Sequence, residues 1–191
     1  WNKKPSHSVL ATLASGMTKH TWLPGKEESP ENRRAYMNYL ENTKNITLPE
    51  GGKLFSGSAD GQMLSVEIEP IPLKISGNID VVMADAVHQS LDTVRNNMWA
   101  GIELKKHDND KDAEILRQVV LQHVAASYLN KDTGILTIMT DLSERWHFFW
   151  FGRETKRIEL MKYEATMPEF RYLVQHMMDK TSPKASTPED F

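Results

Sequence analysis

The sequence predicts a fold of the α/β or mixed α+β class, in which helices flank a central mixed sheet. Residues 64–69 alternate apolar and polar side chains with the two-residue period of a strand. Residues 110–129 carry a broad apolar stripe with the period of a helix. Short strand-like runs at 79–83, 100–105 and 135–139 stand before and after helical segments. That order is typical of a sheet covered by helices.

Residues 1–28 are predicted to form an irregular N-terminal arm. Proline and glycine interrupt this stretch, and no hydrophobic period is sustained along it. A helix is predicted from about 30 to 43, because Ser29 suits the cap and Pro30 suits the first helical position. Pro49 and the glycines that follow it end this region.

Four elements are predicted in the next part of the chain. Residues 64–76 are predicted to be extended, and the apolar run 79–83 is predicted to be a short buried strand. Apolar residues spaced four, three and four apart predict a helix over 86–98. A further strand is predicted at 100–105.

The last part of the chain is predicted to alternate helix and strand. Residues 110–129 form the longest predicted helix, about 30 Å long. A strand at 135–139 and a hairpin spanning 146–163 follow it. A last helix is predicted at about 168–178. Residues 181–191 are predicted to be a flexible tail, because they are polar and broken by proline.

The composition excludes several classes of protein. The 191 residues contain no cysteine, which excludes disulfides, cysteine-ligated zinc and thiol catalysis. No apolar run approaches the roughly 20 residues that span a membrane, so no membrane partner is expected. With a net charge of -3, bulk charge alone does not hold the chain on nucleic acid, although a local basic strip can do so. The chain starts at Trp1, so we expect the native N-terminus and its targeting signal to lie outside it.

Asp80, Glu103 and Lys105 form the candidate catalytic set. Asp80 lies in an apolar run, and Glu103 and Lys105 lie on one face of the next strand. Two carboxylates about 4 Å apart repel each other by roughly 4 kcal/mol at an effective dielectric constant near 20, and a divalent cation removes that repulsion. Mg²⁺ binds one or two carboxylates together with phosphate oxygens, and a neighbouring lysine can orient water or stabilise developing charge. The set therefore predicts Mg²⁺ (or Mn²⁺) and phosphodiester hydrolysis. The alternative is structural: Asp80 closes a turn, and Lys105 forms only a salt bridge.

The order Asp80, then Glu103 and Lys105 two residues apart, then a helix carrying Gln118 resembles the PD-(D/E)XK nuclease superfamily. The order of predicted elements is also similar to the core of that superfamily. The resemblance implies a restriction-endonuclease-like core within a nuclease-like domain at 29–180. It implies that Asp80 and Glu103 are metal ligands. It also implies that Lys105 is the catalytic lysine and that Gln118 supports the lysine or meets the DNA backbone.

The resemblance further implies an acid on the first helix. Glu41, near the end of the predicted helix, is the candidate, and Glu31 and Glu50 compete for the role. Two features depart from the pattern of the superfamily. Ile79 stands where a proline often precedes the first acid, and a helix such as the one predicted over 86–98 is unusual between the two acids.

A second segment, Thr-Asp-Leu at 140–142 followed by Trp146, resembles the nuclease-like C-terminal domains of crinkler-type effectors. Oomycetes and some fungi make these effectors, which can act in host nuclei. The resemblance implies a secreted virulence effector that acts inside a host cell, with the nucleus as one destination, and that hydrolyses DNA, with RNA as an alternative. Two other hypotheses stay open. One is a catalytically silent nuclease-like domain that binds nucleic acid or a host protein, and the other is an interaction domain without a metal site.

Overall fold

A computed structural model describes residues 6–15, 17–42, 46, 48–57, 62–69, 72–106, 112–131, 134–154 and 157–181. The elements along the chain are α1 (His7–Ala14), α2 (Pro30–Glu41), β1 (Gly52–Ser56), β2 (Val66–Ile68), β3 (Leu73–Ile75), β4 (Val81–Asp85), α3 (Leu91–Arg95), β5 (Met98–Leu104), α4 (Asp112–Leu129), β6 (Leu136–Thr140), β7 (Trp146–Glu154), β8 (Arg157–Ala165) and α5 (Met167–Thr181). Among these residues, no helix combines the length and apolar character needed to cross a membrane.

The central sheet has six strands in the order β1-β4-β5-β6-β7-β8. All neighbouring strands are antiparallel except β5 and β6, which are parallel. A parallel pair needs a long crossover, and α4 supplies it. The strands β2 and β3 form a separate antiparallel hairpin. The predicted mixed α+β class is therefore confirmed.

The sheet buries a different apolar layer on each face. One layer packs against α2 and α5 and contains Ile102 and Leu104 of β5. The other packs against α4 and the β2–β3 hairpin. Because side chains alternate along a strand, Glu103 points away from the first layer and contacts α4 through hydrogen bonds from its glutamines. The alternation thus places one buried carboxylate under α4.

The helix predicted over 86–98 is wrong in extent, because only α3 is helical there. The Ser90 hydroxyl accepts a hydrogen bond from the backbone N–H of Thr93 at 3.2 Å and so caps the helix late. Val87, the first apolar residue of the predicted stripe, is 71% exposed. Met98, the last one, begins β5 instead. Strand β1 has no counterpart among the predicted elements.

The prediction that the whole arm is irregular is wrong, because the arm contains α1. The Ser6 hydroxyl accepts a hydrogen bond from Val9 N at 3.4 Å and caps this helix, and α1 packs against α5. The rest of the arm is tied to the body, because the indole N–H of Trp22 donates to the carbonyl of Asp141 at 2.9 Å. Of the predicted tail, only Thr181, the last residue of α5, is described.

Candidate active site

The pairing of β4 with β5 brings Asp80 and Glu103 together. Val81 lies opposite Ile102 in the antiparallel register, so Asp80 lies beside Glu103 where β4 begins and β5 ends. The backbone N–H of Leu104 donates to Asp80 Oδ2 at 2.7 Å and fixes that carboxylate. The two acids are therefore neighbours at one end of the sheet, as the sequence predicted. Their predicted role as metal ligands stays a prediction.

Glu103 is only 3% exposed, and side-chain donors surround it. Its Oε1 accepts hydrogen bonds from Lys105 Nζ at 2.8 Å and from Gln118 Nε2 at 2.9 Å. Its Oε2 accepts one from Gln122 Nε2 at 2.8 Å. Gln118 and Lys105 thus meet at one carboxylate oxygen. Gln122 was not predicted, although it lies one turn after Gln118 on the same helix face, and that spacing could have revealed it.

Burial dominates the ionisation of the pair. It raises the pKa of Glu103, and the nearby charge of Asp80 raises it further, against the opposing effect of Lys105. Burial also raises the pKa of Asp80, although the Leu104 N–H and the Lys105 charge oppose that change. Burial alone would lower the pKa of Lys105, but the Glu103 carboxylate outweighs it, and the pKa is raised. Holding both acids ionised is costly here, and a further positive charge would offset that cost.

The structure brings a third acid, Glu27, to the site. Glu27 Oε2 lies 3.8 Å from Lys105 Nζ, and Glu27 Oε1 accepts a hydrogen bond from the backbone N–H of Lys106. The acids proposed from the resemblance are elsewhere. Glu31, Glu41 and Glu50 are exposed, and among the described residues no recorded contact joins them to the site.

Glu27 was missed because it lies in a loop with no period that could predict its position. The loop is held to the site by Lys106. Its ammonium donates to the carbonyl oxygens of Leu23 at 2.9 Å and Gly25 at 2.6 Å, and it lies 5.4 Å from the centre of the Trp22 ring. These contacts are long-range and leave no signal in the local sequence.

The donor set suits a divalent cation that also contacts phosphate. Asp80, Glu103 and Glu27 place three carboxylates around the single ammonium of Lys105. Among the described residues, no three Asp, Glu or His side chains converge closely enough to hold an ion by themselves. Mg²⁺ does not require such a cage, because it commonly takes one or two carboxylates together with water and phosphate oxygens. Asp80 and Glu103 are the residues that could hold it.

A cavity of about 600 Å³ opens beside Lys105 and Lys106. The first half of α4, strands β6 to β8 and the beginning of α5 form its walls. The site therefore has a fixed group of charges at one end and a space for a ligand next to it.

Comparison with known proteins gives one distant match. The chain is 22% identical over 129 residues to crinkler effector protein 161 of Phytophthora sojae (strain P6497). The chain is distantly similar to a crinkler effector. The match covers 65% of this chain but 28% of that protein, so the chain spans less than a third of the relative. No family model and no solved structure matches the chain.

The match agrees with the resemblance carried by Thr-Asp-Leu and Trp146. The resemblance to the PD-(D/E)XK superfamily stays a prediction.

Proposed function

We propose that this chain is a Mg²⁺-dependent (or Mn²⁺-dependent) nuclease domain of an effector that acts inside host cells. Its substrate is DNA, with RNA as an alternative. The observation that supports this best is the buried pair of Asp80 and Glu103 beside Lys105. A carboxylate pair is costly to bury without positive charge, and a phosphodiester-bound divalent ion supplies such charge. The similarity to a crinkler effector supports the effector part of the proposal.

Each residue has a distinct role in this proposal. Asp80 and Glu103 would hold the ion, which when bound activates water and offsets phosphate charge. The Lys105 ammonium, within hydrogen-bonding distance of Glu103 at 2.8 Å, would orient the attacking water and stabilise negative charge as it develops on phosphate oxygens. Gln118 would fix the orientation of Glu103 through its 2.9 Å hydrogen bond, as residues behind a metal ligand commonly do.

The second candidate is a nuclease-like domain that binds nucleic acid or a host protein without cutting. The position of Lys105 favours it. Its ammonium lies between Glu103 at 2.8 Å and Glu27 at 3.8 Å, so two carboxylates already screen its charge. The net charge of -3 also favours this candidate, because little bulk attraction to phosphate remains.

Calorimetry with Mg²⁺ and Mn²⁺, followed by a plasmid-nicking assay, separates the candidates. The nuclease proposal expects Asp80→Asn to lose both ion binding and nicking. Lys105→Met should keep ion binding, because an ammonium has no lone pair for a metal, and should lose nicking. Glu67→Gln, at an exposed acid on β2, is the matched control and should resemble the wild type.

Two results would point elsewhere. Wild-type protein that binds Mg²⁺ but cuts neither DNA nor RNA supports the silent binder. Wild-type protein that binds no divalent ion excludes both candidates and leaves an interaction domain.

A further inference from the structure

The cavity beside Lys105 and Lys106 is large enough for a small organic ligand. Its volume of about 600 Å³ is within the range of roughly 300–1,000 Å³ that such ligands occupy in proteins. The two lysines lie at its boundary with the candidate active site. A nucleic-acid strand bound at the site would therefore have this space next to its phosphate.

One wall of the cavity is apolar. Ile115 and Leu116 of α4 and Met139 of β6 line it, and all three are partly exposed. Apolar side chains hold the faces of nucleobases in enzymes that take a base out of its stack. A phosphate or a sugar hydroxyl gains nothing from such a wall.

The remaining wall is rich in carboxylates. Four acids line it: Asp141, Glu144, Glu164 and Glu169. Arg145 and Lys162 lie among them, so that with Lys105 and Lys106 the lining carries four acids and four lysine or arginine side chains. Glu164 is paired with Lys162 at 2.9 Å and Glu144 with Lys19 at 2.6 Å, so the lining is close to neutral and gives a phosphate little net attraction.

We propose, on the basis of the proposed function, that this cavity receives one unpaired nucleobase while the adjoining phosphate lies at Lys105 and Lys106. The substrate is then single-stranded or locally unpaired nucleic acid. A base inside a duplex is stacked and paired, so its entry into the cavity costs the free energy of unstacking and unpairing it.

Binding of labelled oligonucleotides tests this, with Ca²⁺ in place of Mg²⁺ to limit cutting. Fluorescence anisotropy should show tighter binding of oligo-dC than of a duplex of equal length. Leu116→Trp fills the cavity and should weaken oligo-dC binding tenfold or more. Leu121→Trp is the control, because Leu121 lies on the same helix, is 50% exposed and does not line the cavity. If Leu116→Trp does not fold, Ile115→Trp replaces it.

The outcome is independent of whether the protein cuts. Equal affinity for duplex and single strands, or oligo-dC binding that Leu116→Trp leaves unchanged, overturns the base-binding cavity even if plasmids are nicked. Single-strand binding that depends on the cavity supports it even if nothing is cut, and in that case only the catalytic proposal fails. Protein that binds no oligonucleotide overturns the cavity proposal as well.

Discussion

Two glutamines of α4 bind the same carboxylate but have different surroundings. Gln118 is exposed and bonds Glu103 Oε1 at 2.9 Å. Gln122 is 5% exposed and donates to Glu103 Oε2 at 2.8 Å and to the carbonyl of Asn78 at 2.7 Å. The first residue therefore contributes to the surface of the site, and the second also contributes to the interior.

Gln118→Ala should lower cutting roughly tenfold or more, as loss of a residue that orients a ligand commonly does. Its melting temperature should stay close to that of the wild type, because exposed substitutions rarely change stability. Gln122→Ala should instead lower the free energy of unfolding by roughly 1–3 kcal/mol, since buried acceptors lose their donor. Thermal melts and nicking assays check both. A destabilised Gln118→Ala with normal cutting would contradict its place in the site.

His123 is a buried base on the same helix, and it predicts a pH dependence. Its Nδ1 lies 2.9 Å from Thr137 Oγ1, its ring centre is 4.6 Å from that of Phe151, and burial lowers its pKa to about 4. The unfolded chain has the ordinary pKa near 6.5, so it binds more protons between those two values. The difference between the two pKa values corresponds to about 3 kcal/mol in the free energy of unfolding. That stability is present above pH 6.5 and is lost as the pH falls to 4.

Buried Asp80 and Glu103 act in the opposite direction, because their raised pKa values remove stability as the pH rises. The test is therefore the difference in unfolding free energy between the wild type and His123→Leu from pH 4 to 7. The wild type should lose unfolding free energy relative to His123→Leu as the pH falls from 7 to 4. A constant difference for His123→Leu would show that the histidine does not titrate as the structure indicates.

The acids of the sheet were predictable because they interrupt apolar runs. Asp80 and Glu103 stand where a strand pattern expects apolar residues, and the two-residue spacing placed Lys105 with Glu103. Glu27 gave no comparable signal, because its position depends on contacts between a loop and Lys106. The strand pattern therefore predicted Asp80 and Glu103, whereas only the folded structure revealed the carboxylate of Glu27.

Long elements and the short strands β4, β5 and β6 were predicted well, whereas the short elements α1, β1 and α3 were not. Helices α2 and α4 and the hairpin of β7 and β8 lie where the sequence placed them. Helix α3 has only five residues, so one apolar stripe could not distinguish it from the loop before it and the strand after it. The junction between α3 and β5 is held by Asn130, a residue far along the chain whose side chain accepts a hydrogen bond from the first residue of β5.

Asn130→Ala should remove the hydrogen bonds that join the junction of α3 and β5 to the end of α4. The side chain is 4% exposed. It accepts from Met98 N at 2.9 Å and donates to the carbonyls of Arg95 at 3.0 Å and Ala126 at 2.9 Å. Because buried groups lose their partners, the free energy of unfolding should fall by roughly 2–3 kcal/mol. Chemical denaturation measures this. Asn97→Ala is the control, since Asn97 is exposed and makes one recorded side-chain bond, to Thr93. Equal losses in the two variants would show that Asn130 does not join the elements.

At the scale of the whole molecule, a sheet with an apolar layer on each face carries a buried group of charges where β4 begins and β5 ends. The mixed fold was predictable from the hydrophobic period of its elements. The packing of the arm was not, because it depends on individual long-range contacts such as the hydrogen bond from the Trp22 indole N–H to the Asp141 carbonyl. Burial opposes the ionisation of Asp80 and Glu103 at the end of β4 and β5, so their raised pKa values remove stability as the pH rises. The proposed ion would therefore stabilise the folded protein, because a ligand that binds only the folded state shifts the unfolding equilibrium.

This coupling predicts that saturating Mg²⁺ raises the melting temperature of the wild type at pH 8. An ion present at a hundred times its dissociation constant adds about 2.7 kcal/mol, which is about 5–10 °C for a chain of this size. Asp80→Asn should lose most of that increase. In EDTA it should be more stable than the wild type, because its amide oxygen can still accept from Leu104 N while Glu103 loses a repelling neighbour. Glu67→Gln should behave as the wild type in both conditions. A wild-type melting temperature that Mg²⁺ leaves unchanged, with Asp80→Asn no more stable in EDTA, would show that the buried pair is a structural salt-bridge group instead of an ion site.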